Sequence, residues 1–350
     1  MKRLLEIEEY AEDVKRVASQ ISTCGQLRGT TILITGGTGL IGSFMIDALL
    51  AADIDCKVVL LGRSEEKAKS RFPEYLDSGR LLFLKWDASA PSVPQVAGPV
   101  DFIIHLASNT HPVAYATDPV GTVVMNVCAA KILLDFAVAK GITRFVYASS
   151  VEVYGQNRGD VEKFSEGYCG YIDCNNLRAG YPESKRCGES LCQAYLKQFN
   201  LDFVIPRIAR VYGPTLLRTD TKALSQFISN AIAGEDIVLK SEGKQYYSYI
   251  HVADAVSGIL TVLLKGGKGE AYNISDVNSD ITLRDLAAIV AETCGRKVVF
   301  NMPSAVERSG FSPAMLARLD NQKLLSLGWT AYYDIKSGIA NTIDVLQEGC

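Results

Sequence analysis

From Thr30 onward the chain alternates two hydrophobic rhythms. Short, nearly continuous apolar runs at Thr30–Thr35, Lys57–Leu61, Leu81–Lys85, Asp101–Leu106, Arg144–Ser149 and Leu201–Pro206 have the length of strands buried on both faces. Between them, Leu40–Ala52, Ser64–Tyr75, Pro119–Lys140 and about 181–199 carry apolar residues at helical spacing. Strands alternating with helices predict a parallel sheet covered on both sides. Residues 29–206 therefore read as one α/β, doubly wound domain.

Two regions depart from this rhythm. Residues 1–28 hold an amphipathic segment (Leu4, Leu5, Ile7, Tyr10, Val14, Val17, Ile21), which predicts an added N-terminal helix packed on the main body. After Arg207 the alternation loosens. Helices are predicted near 220–233, 251–265, 282–294 and 335–348, and short strands near 237–240, 247–250, 271–274 and 297–300. That is too little for a second complete sheet domain. It predicts a smaller α/β cap over 207–248 and 273–350, with 249–272 returning to the first domain.

Composition narrows the class. The 350 residues carry 36 Lys plus Arg against 39 Asp plus Glu, a net charge of −3. A nucleic-acid binder usually shows a basic excess, so no such partner is expected. None of the runs approaches the ~18–20 consecutive apolar residues of a membrane span, and the mixed-charge start, Met1 to Lys15, does not read as an export signal. A cytoplasmic protein without a membrane partner is expected. Nine cysteines, an odd number, then read as free thiols. Cys169, Cys174, Cys187 and Cys192 are spaced too widely for a zinc site, so no metal is expected.

The most informative stretch is Ile32-Leu-Ile-Thr-Gly-Gly-Thr-Gly-Leu-Ile-Gly42. Gly36, Gly39 and Gly42 follow a strand and open a helix. The first glycine permits a tight turn, the next lets backbone approach a pyrophosphate, and the last lets the helix pack close to the strand. This predicts a Rossmann dinucleotide site using Gly36, Gly37, Thr38, Gly39, Leu40, Ile41 and Gly42. After the second strand, Gly62-Arg63 stands where an acid would bind the ribose of NAD, and an arginine there suits a 2′-phosphate. NAD and NADP both stay open. Asp87 suits the adenine amino group, with Ala88 beside it and Leu106, Ala107 and Ser108 lining the floor.

Ser149-Ser150 ends a strand, and Tyr181-Pro-Glu-Ser-Lys185 opens a helix. Tyr181 and Lys185, four residues apart, share one helical face. A lysine charge lowers a phenol pKa, so that tyrosinate can take a hydroxyl proton as hydride leaves carbon. Ser150 would hold the same substrate oxygen.

Together these features resemble the extended short-chain dehydrogenase/reductase family, the NAD-dependent epimerases, dehydratases and decarboxylases of nucleotide sugars. The likeness runs from about Thr30 to Thr342. It includes Thr35–Gly42, His105-Leu-Ala-Ser108, Asn126, Ser149-Ser-Val-Glu-Val-Tyr-Gly155, Tyr181 with Lys185, Arg207 through Val211-Tyr-Gly-Pro214, Tyr249-Ile-His-Val-Ala-Asp254, Tyr272-Asn-Ile-Ser275 and Leu327-Gly-Trp329. The resemblance implies Ser150, Tyr181 and Lys185 as catalytic residues, supported by Asn126. It also implies hydride removal at C4 of a sugar held through its nucleoside diphosphate, and a homodimer formed through the two long helices.

Within that family the 4,6-dehydratases resemble Thr-Asp-Glu where this chain has Ser150-Val151-Glu152. Valine cannot protonate a departing 6-hydroxyl, while Glu152 remains a candidate base. UDP-glucuronate decarboxylases are similar at Gly170-Tyr-Ile-Asp173, at Arg178-Ala-Gly-Tyr181 and at His111–Tyr115, which places Thr110 and Arg178 at the substrate. Those enzymes carry an arginine where Tyr247 stands here, and many relatives have asparagine where Arg210 stands. Arg210 or Arg178 is expected to replace the missing charge. Arg207, Arg210 and Arg218 suit a diphosphate, with Lys222 and Lys240 adding charge. The resulting expectation is C4 oxidation with NAD or NADP, followed by decarboxylation or epimerisation. An NADPH-dependent 4-keto-sugar reductase and a non-catalytic nucleotide-sensing scaffold are the alternatives.

Overall fold

A computed structural model describes residues 2–88, 90–109, 115, 117–217, 220–301 and 315–349. Its centre is a parallel sheet. Strand β1 (Thr31–Thr35) has β2 (Lys57–Gly62) and then β3 (Leu81–Lys85) on one side. On the other side lie β4 (Phe102–His105), β5 (Arg144–Tyr147), β7 (Phe203–Ile208) and β11 (Glu270–Ile274). The short β6 (Ser149–Ser150) pairs with β7. The chain therefore reverses its direction of travel between β1 and β4. In a sheet of this kind ligands bind at that switch point, beyond the carboxyl ends of the strands.

The strand sequences divide their side chains between two cores. Ile32 and Ile34 of β1 face the layer holding α1 (Glu8–Cys24), α2 (Leu40–Ala51) and α8 (Val252–Lys265). Leu33 faces the layer of α5 (Pro119–Lys140) and α6 (Gly180–Phe199), among Ala129, Leu133, Leu134 and Cys192. Helix α5 is long and apolar enough to cross a membrane by length and composition. Its Ala129, Ala130, Leu133, Leu134 and Ala137 are fully buried in this second core.

The segment 64–75 is two helices rather than one: α3 (Glu65–Arg71) and α4 (Pro73–Asp77). Pro73 has no N–H and pushes Phe72 out of helical geometry, to φ −132°. Helix α1 buries Tyr10, Val14, Val17, Ala18 and Ile21 against α2 and α8. Each large aliphatic among them contributes roughly 1.5–3 kcal/mol. The Tyr10 hydroxyl also donates to Asp47 on α2 at 2.6 Å, and the Tyr333 hydroxyl donates to the buried Asp13 at 2.7 Å. Residues 1–28 are thus tied both to the main sheet layer and to the C-terminal segment.

The remaining elements form a smaller layer. Strand β10 (Tyr246–His251) pairs with β8 (Arg210–Tyr212), β12 (Asp280–Thr282) and β14 (Leu316–Ala317). A second pair joins β9 (Ile237–Leu239) to β13 (Val298–Phe300). Around them lie α7 (Ala223–Ile232), α9 (Leu283–Thr293), α10 (Gln322–Leu325) and α11 (Ile335–Glu348).

Asp254, in the first turn of α8, accepts backbone N–H groups of Tyr332 and Tyr333 at 2.6 and 3.1 Å. Burial outweighs those two bonds and, with help from the nearby Asp276 and Asp13 charges, pushes its pKa up to about 7. A raised carboxyl binds its proton more readily in the folded state than in the unfolded one. Its contribution is full below the unfolded pKa of about 4 and is lost as pH rises through about 7, at roughly 1.4 kcal/mol per unit inside that window. The stability gap between the native protein and Asp254→Asn should therefore narrow from pH 4.5 to pH 8 in denaturant titrations. A constant or widening gap would refute this.

Candidate active site

The glycine loop sits at the switch point, and its geometry explains its composition. Gly36 has φ +75°, and a Cβ there would stand 2.7 Å from the Ala107 nitrogen. A Cβ on Gly42 would stand 2.4 Å from the Gly36 carbonyl oxygen. Gly39 caps α2 without any side-chain hydrogen bond, so the amides of that first turn face the loop and not a capping residue. Across the switch point, Thr35 Oγ1 accepts the Ala107 N–H at 3.1 Å and shares a 2.7 Å hydrogen bond with His105 Nδ1. Leu106, Ala107 and Ser108 are thereby held beside the loop. This is a cradle that side chains would fill, with exposed helix amides at its base, and it fits a dinucleotide pyrophosphate. Arg63 and Asp87 are exposed beyond the ends of β2 and β3, while Ala88 is buried. Thr110 and Arg218 lie outside the described residues.

Tyr181 and Lys185 stand on the first turns of α6 and are buried, at 6% and 2% exposure. The Tyr181 phenol faces the Ser150 and Ser108 hydroxyls. Burial, then the Glu152 charge, pushes the phenol pKa up. Hydrogen bonding to Ser150, the Arg178 charge and Ser108 pull it back. Lys185 lies one turn further along the same helix. Its ammonium donates to the Ala148 carbonyl at 2.9 Å, and burial lowers its pKa to about 8 against the opposing pull of Glu189. His105 is pushed down to about 3 by burial and then by the Lys185 charge, so it is neutral.

Asn126 organises this cluster without touching the phenol. It accepts from Ser108 Oγ at 2.8 Å and donates to Ser184 Oγ at 2.9 Å, while Ser184 donates to the Tyr181 carbonyl at 2.7 Å. Asn126→Ala would free Ser108 and leave buried groups unpaired. We expect kcat to fall about tenfold with KM changed less than twofold, since one neutral hydrogen bond is worth about 1 kcal/mol. Steady-state kinetics checks this, and a KM effect without a kcat effect would refute it.

Beside Ser150 and Tyr181 opens a cavity of about 220 Å³, lined by Val151, Glu152, Tyr171, Arg178, Pro182 and Arg210 among others. Glu152 does not stand there as a free base: Arg178 Nη2 donates to it at 2.8 Å. The Arg178 guanidinium also lies 4.3 Å from the Tyr115 ring centre, and that ring lies 5.0 Å from Tyr181. Tyr115 and Ser184 were missed from sequence. Ser184 follows Tyr181 by one helical turn, a readable signal, and Tyr115 ends the His111–Tyr115 stretch singled out by resemblance, without a role having been assigned to it.

Arg207 departs from expectation. Its register partner is Ser149, and its guanidinium makes four hydrogen bonds: two to Glu189 at 3.0 and 2.6 Å, one to Tyr154 Oη at 3.1 Å and one to the Glu166 carbonyl at 2.7 Å. It lines a different cleft, with Arg186 and Glu189, and is corrected from a diphosphate ligand to a structural ion pair. Lys222 pairs with Asp220. Of the four clustered cysteines, Cys192 is buried in the second core and Cys169, Cys174 and Cys187 are exposed.

The fold, with Ser150, Tyr181 and Lys185 near the carboxyl ends of its strands, defines an enzyme of the Rossmann type. The chain belongs to the NAD dependent epimerase/dehydratase family, whose model matches residues 32–275. It is 29% identical over 308 residues to UDP-glucuronic acid decarboxylase 6 of Arabidopsis thaliana, covering 88% of this chain and 86% of that protein. It is also 29% identical to UDP-glucuronic acid decarboxylase 1 of Xenopus tropicalis, covering 91% of this chain and 72% of that one. Among solved structures it is similar to the dTDP-glucose 4,6-dehydratase DesIV of Streptomyces venezuelae with NAD bound, at TM-score 0.76, 26% identity and coverage of 91% and 97%. The UDP-glucuronic acid 4-epimerase of Bacillus cereus shares the fold at TM-score 0.78, 21% identity and coverage of 92% and 100%.

Proposed function

We propose that this enzyme oxidises C4 of a nucleoside-diphosphate uronate and then decarboxylates it. The observation that carries the reading is the buried Tyr181 phenol, facing Ser150 and Ser108 beside a cavity lined by their neighbours Val151 and Pro182 and by Arg178 and Arg210. The glycine cradle would hold NAD, which supplies the hydride acceptor when bound. Tyr181 takes the proton of the 4-hydroxyl, and Ser150 holds that oxygen. Oxidation at C4 makes the C6 carboxylate part of a β-keto acid. The C5–C6 bond can then break, leaving CO₂ and an enolate whose oxygen Tyr181 and Ser150 are placed to stabilise; protonation at C5, return of the hydride to C4 and return of the proton from Tyr181 to the 4-oxygen would close the cycle with net loss of CO₂ alone. Loss of CO₂ needs no acid at position 151, where a 6-hydroxyl elimination would need one. Epimerisation would follow the same oxidation without the bond cleavage.

The test is incubation of purified protein with UDP-glucuronate, UDP-glucose and their dTDP counterparts, followed by mass spectrometry. Loss of 44 mass units (CO₂) from the uronate alone supports decarboxylation; an isomer of unchanged mass moves the assignment to epimerisation. Exposed Arg63, with no acid at the end of β2, favours a second reading, an NADPH-dependent keto-sugar reductase. Identification of the dinucleotide carried by the purified protein separates the two. Retained NAD supports recycling within one turnover, and exchangeable NADPH supports the reductase.

The same reading includes a homodimer. Helix α5 leaves Val120 at 72% and Val124 at 44% exposure, with Val123 beside them, an apolar stripe that a second copy would cover. Light scattering should show a dimer for the native protein and a monomer for Val124→Glu. A native monomer would overturn this part.

A further inference from the structure

We propose that Arg210 is the residue that selects a carboxylate-bearing sugar, an inference that rests on the nucleotide-sugar reading above. Arg210 belongs to β8 and pairs with Tyr249 of β10. Tyr247, two residues earlier on β10, carries its ring beneath the guanidinium, whose central carbon lies 3.5 Å from the ring centre. Stacking of this kind covers one face of the planar cation and leaves its N–H groups pointing sideways, in the plane. Arg210 Nη1 is buried and finds no hydrogen-bond partner among the described residues. A buried, unpaired cationic donor is costly unless a ligand completes it.

The surroundings indicate which anion completes it. Glu152, Asp173, Arg178 and Arg210 are the charged side chains lining the cavity. Glu152 and Arg178 neutralise one another, and Asp173 is exposed at the rim. Arg178 keeps Nε and Nη1 unpaired as well, but its charge is met by Glu152; among the described residues lining the cavity, Arg210 is the cation without a carboxylate partner. It shares the cavity wall with Val151, which follows Ser150, and with Pro182, which follows Tyr181. That position is the reacting end of the site, where the sugar lies and not its nucleotide. Two N–H groups of a rigid guanidinium match the two oxygens of a carboxylate, and a hydroxymethyl group in the same place would leave them unpaired. Tyr247 is then a platform that orients the guanidinium.

The alternative anion is the diphosphate, and the two are separable by binding. NAD-loaded protein is titrated calorimetrically with UDP-glucuronate, UDP-glucose and UDP. Arg210→Gln should weaken UDP-glucuronate by about 10- to 100-fold, the value of one charge-assisted bidentate contact, with UDP-glucose and UDP within about threefold. Arg210→Lys keeps the charge without the fork and should fall between. Equal weakening of all three ligands would assign Arg210 to the diphosphate and overturn the proposal. So would an unchanged affinity for UDP-glucuronate. Unaltered melting temperature and dinucleotide content establish that each variant is folded. Native protein that binds none of the three ligands overturns the nucleotide-sugar reading itself, a result distinct from any change of ligand preference.

Discussion

Tyr181→Phe is expected to lower kcat by about 10³-fold while leaving substrate affinity and dinucleotide content within a factor of about three. In the proposed mechanism the phenol is the group that moves a proton at the reacting oxygen. Ser150 and Ser108 converge on it, and Asn126 and Ser184 hold those partners and its backbone in place. Removing one oxygen keeps the ring, its packing against Tyr115 and the fold. Single-turnover kinetics with a nucleotide sugar measures the chemical step directly. A loss below tenfold would mean that another group moves the proton, and the proposed mechanism would fall. Lys185→Met should also be severe, but through the loss of the buried ammonium held by Ala148.

Gly42→Ala is the second large effect, and it acts through geometry alone. The new methyl would meet the Gly36 carbonyl oxygen at 2.4 Å and the Gly37 Cα at 2.6 Å, both backbone atoms with nowhere to turn. The loop and the start of α2 must separate. We expect a stability loss of about 2–3 kcal/mol, the usual scale of overpacking, and loss of the bound dinucleotide. Gly167→Ala is the control, since nothing lies within 4 Å of the added methyl. Thermal melts and the absorbance of retained dinucleotide read both outcomes. A Gly42→Ala protein that keeps its cofactor and its melting temperature would refute the account of the cradle.

Much of this molecule was legible before its structure. The strand and helix order, the glycine loop and the Tyr181/Lys185 face all depend on spacing within one element, and such spacing is written locally. The break at Pro73 was missed, although its signal is local: a missing N–H and a steric restriction on Phe72 split the single helix expected over Ser64–Tyr75. What could not be read was the allotment of charges. Arg207, Arg178 and Arg210 look alike in sequence, and each arginine was a candidate for the substrate. In the structure one is bound by Glu189, Tyr154 and Glu166, one pairs with Glu152, and one stacks on Tyr247 without a carboxylate partner.

The sequence by itself determined the doubly wound sheet, the place of the dinucleotide cradle at the end of β1 and the family to which the chain belongs. These follow from short-range rules of periodicity, turn sterics and helix facing. Tertiary structure alone decided which cavity arginine has a carboxylate partner and how Tyr181 is held. It also decided that the first 24 residues clasp α2, α8 and the C-terminal segment. The reason is that a charge or a hydroxyl is defined chemically by what it touches. Those partners lie tens to hundreds of residues away: 26 between Arg178 and Glu152, 58 between Asn126 and Ser184, and 320 between Asp13 and Tyr333.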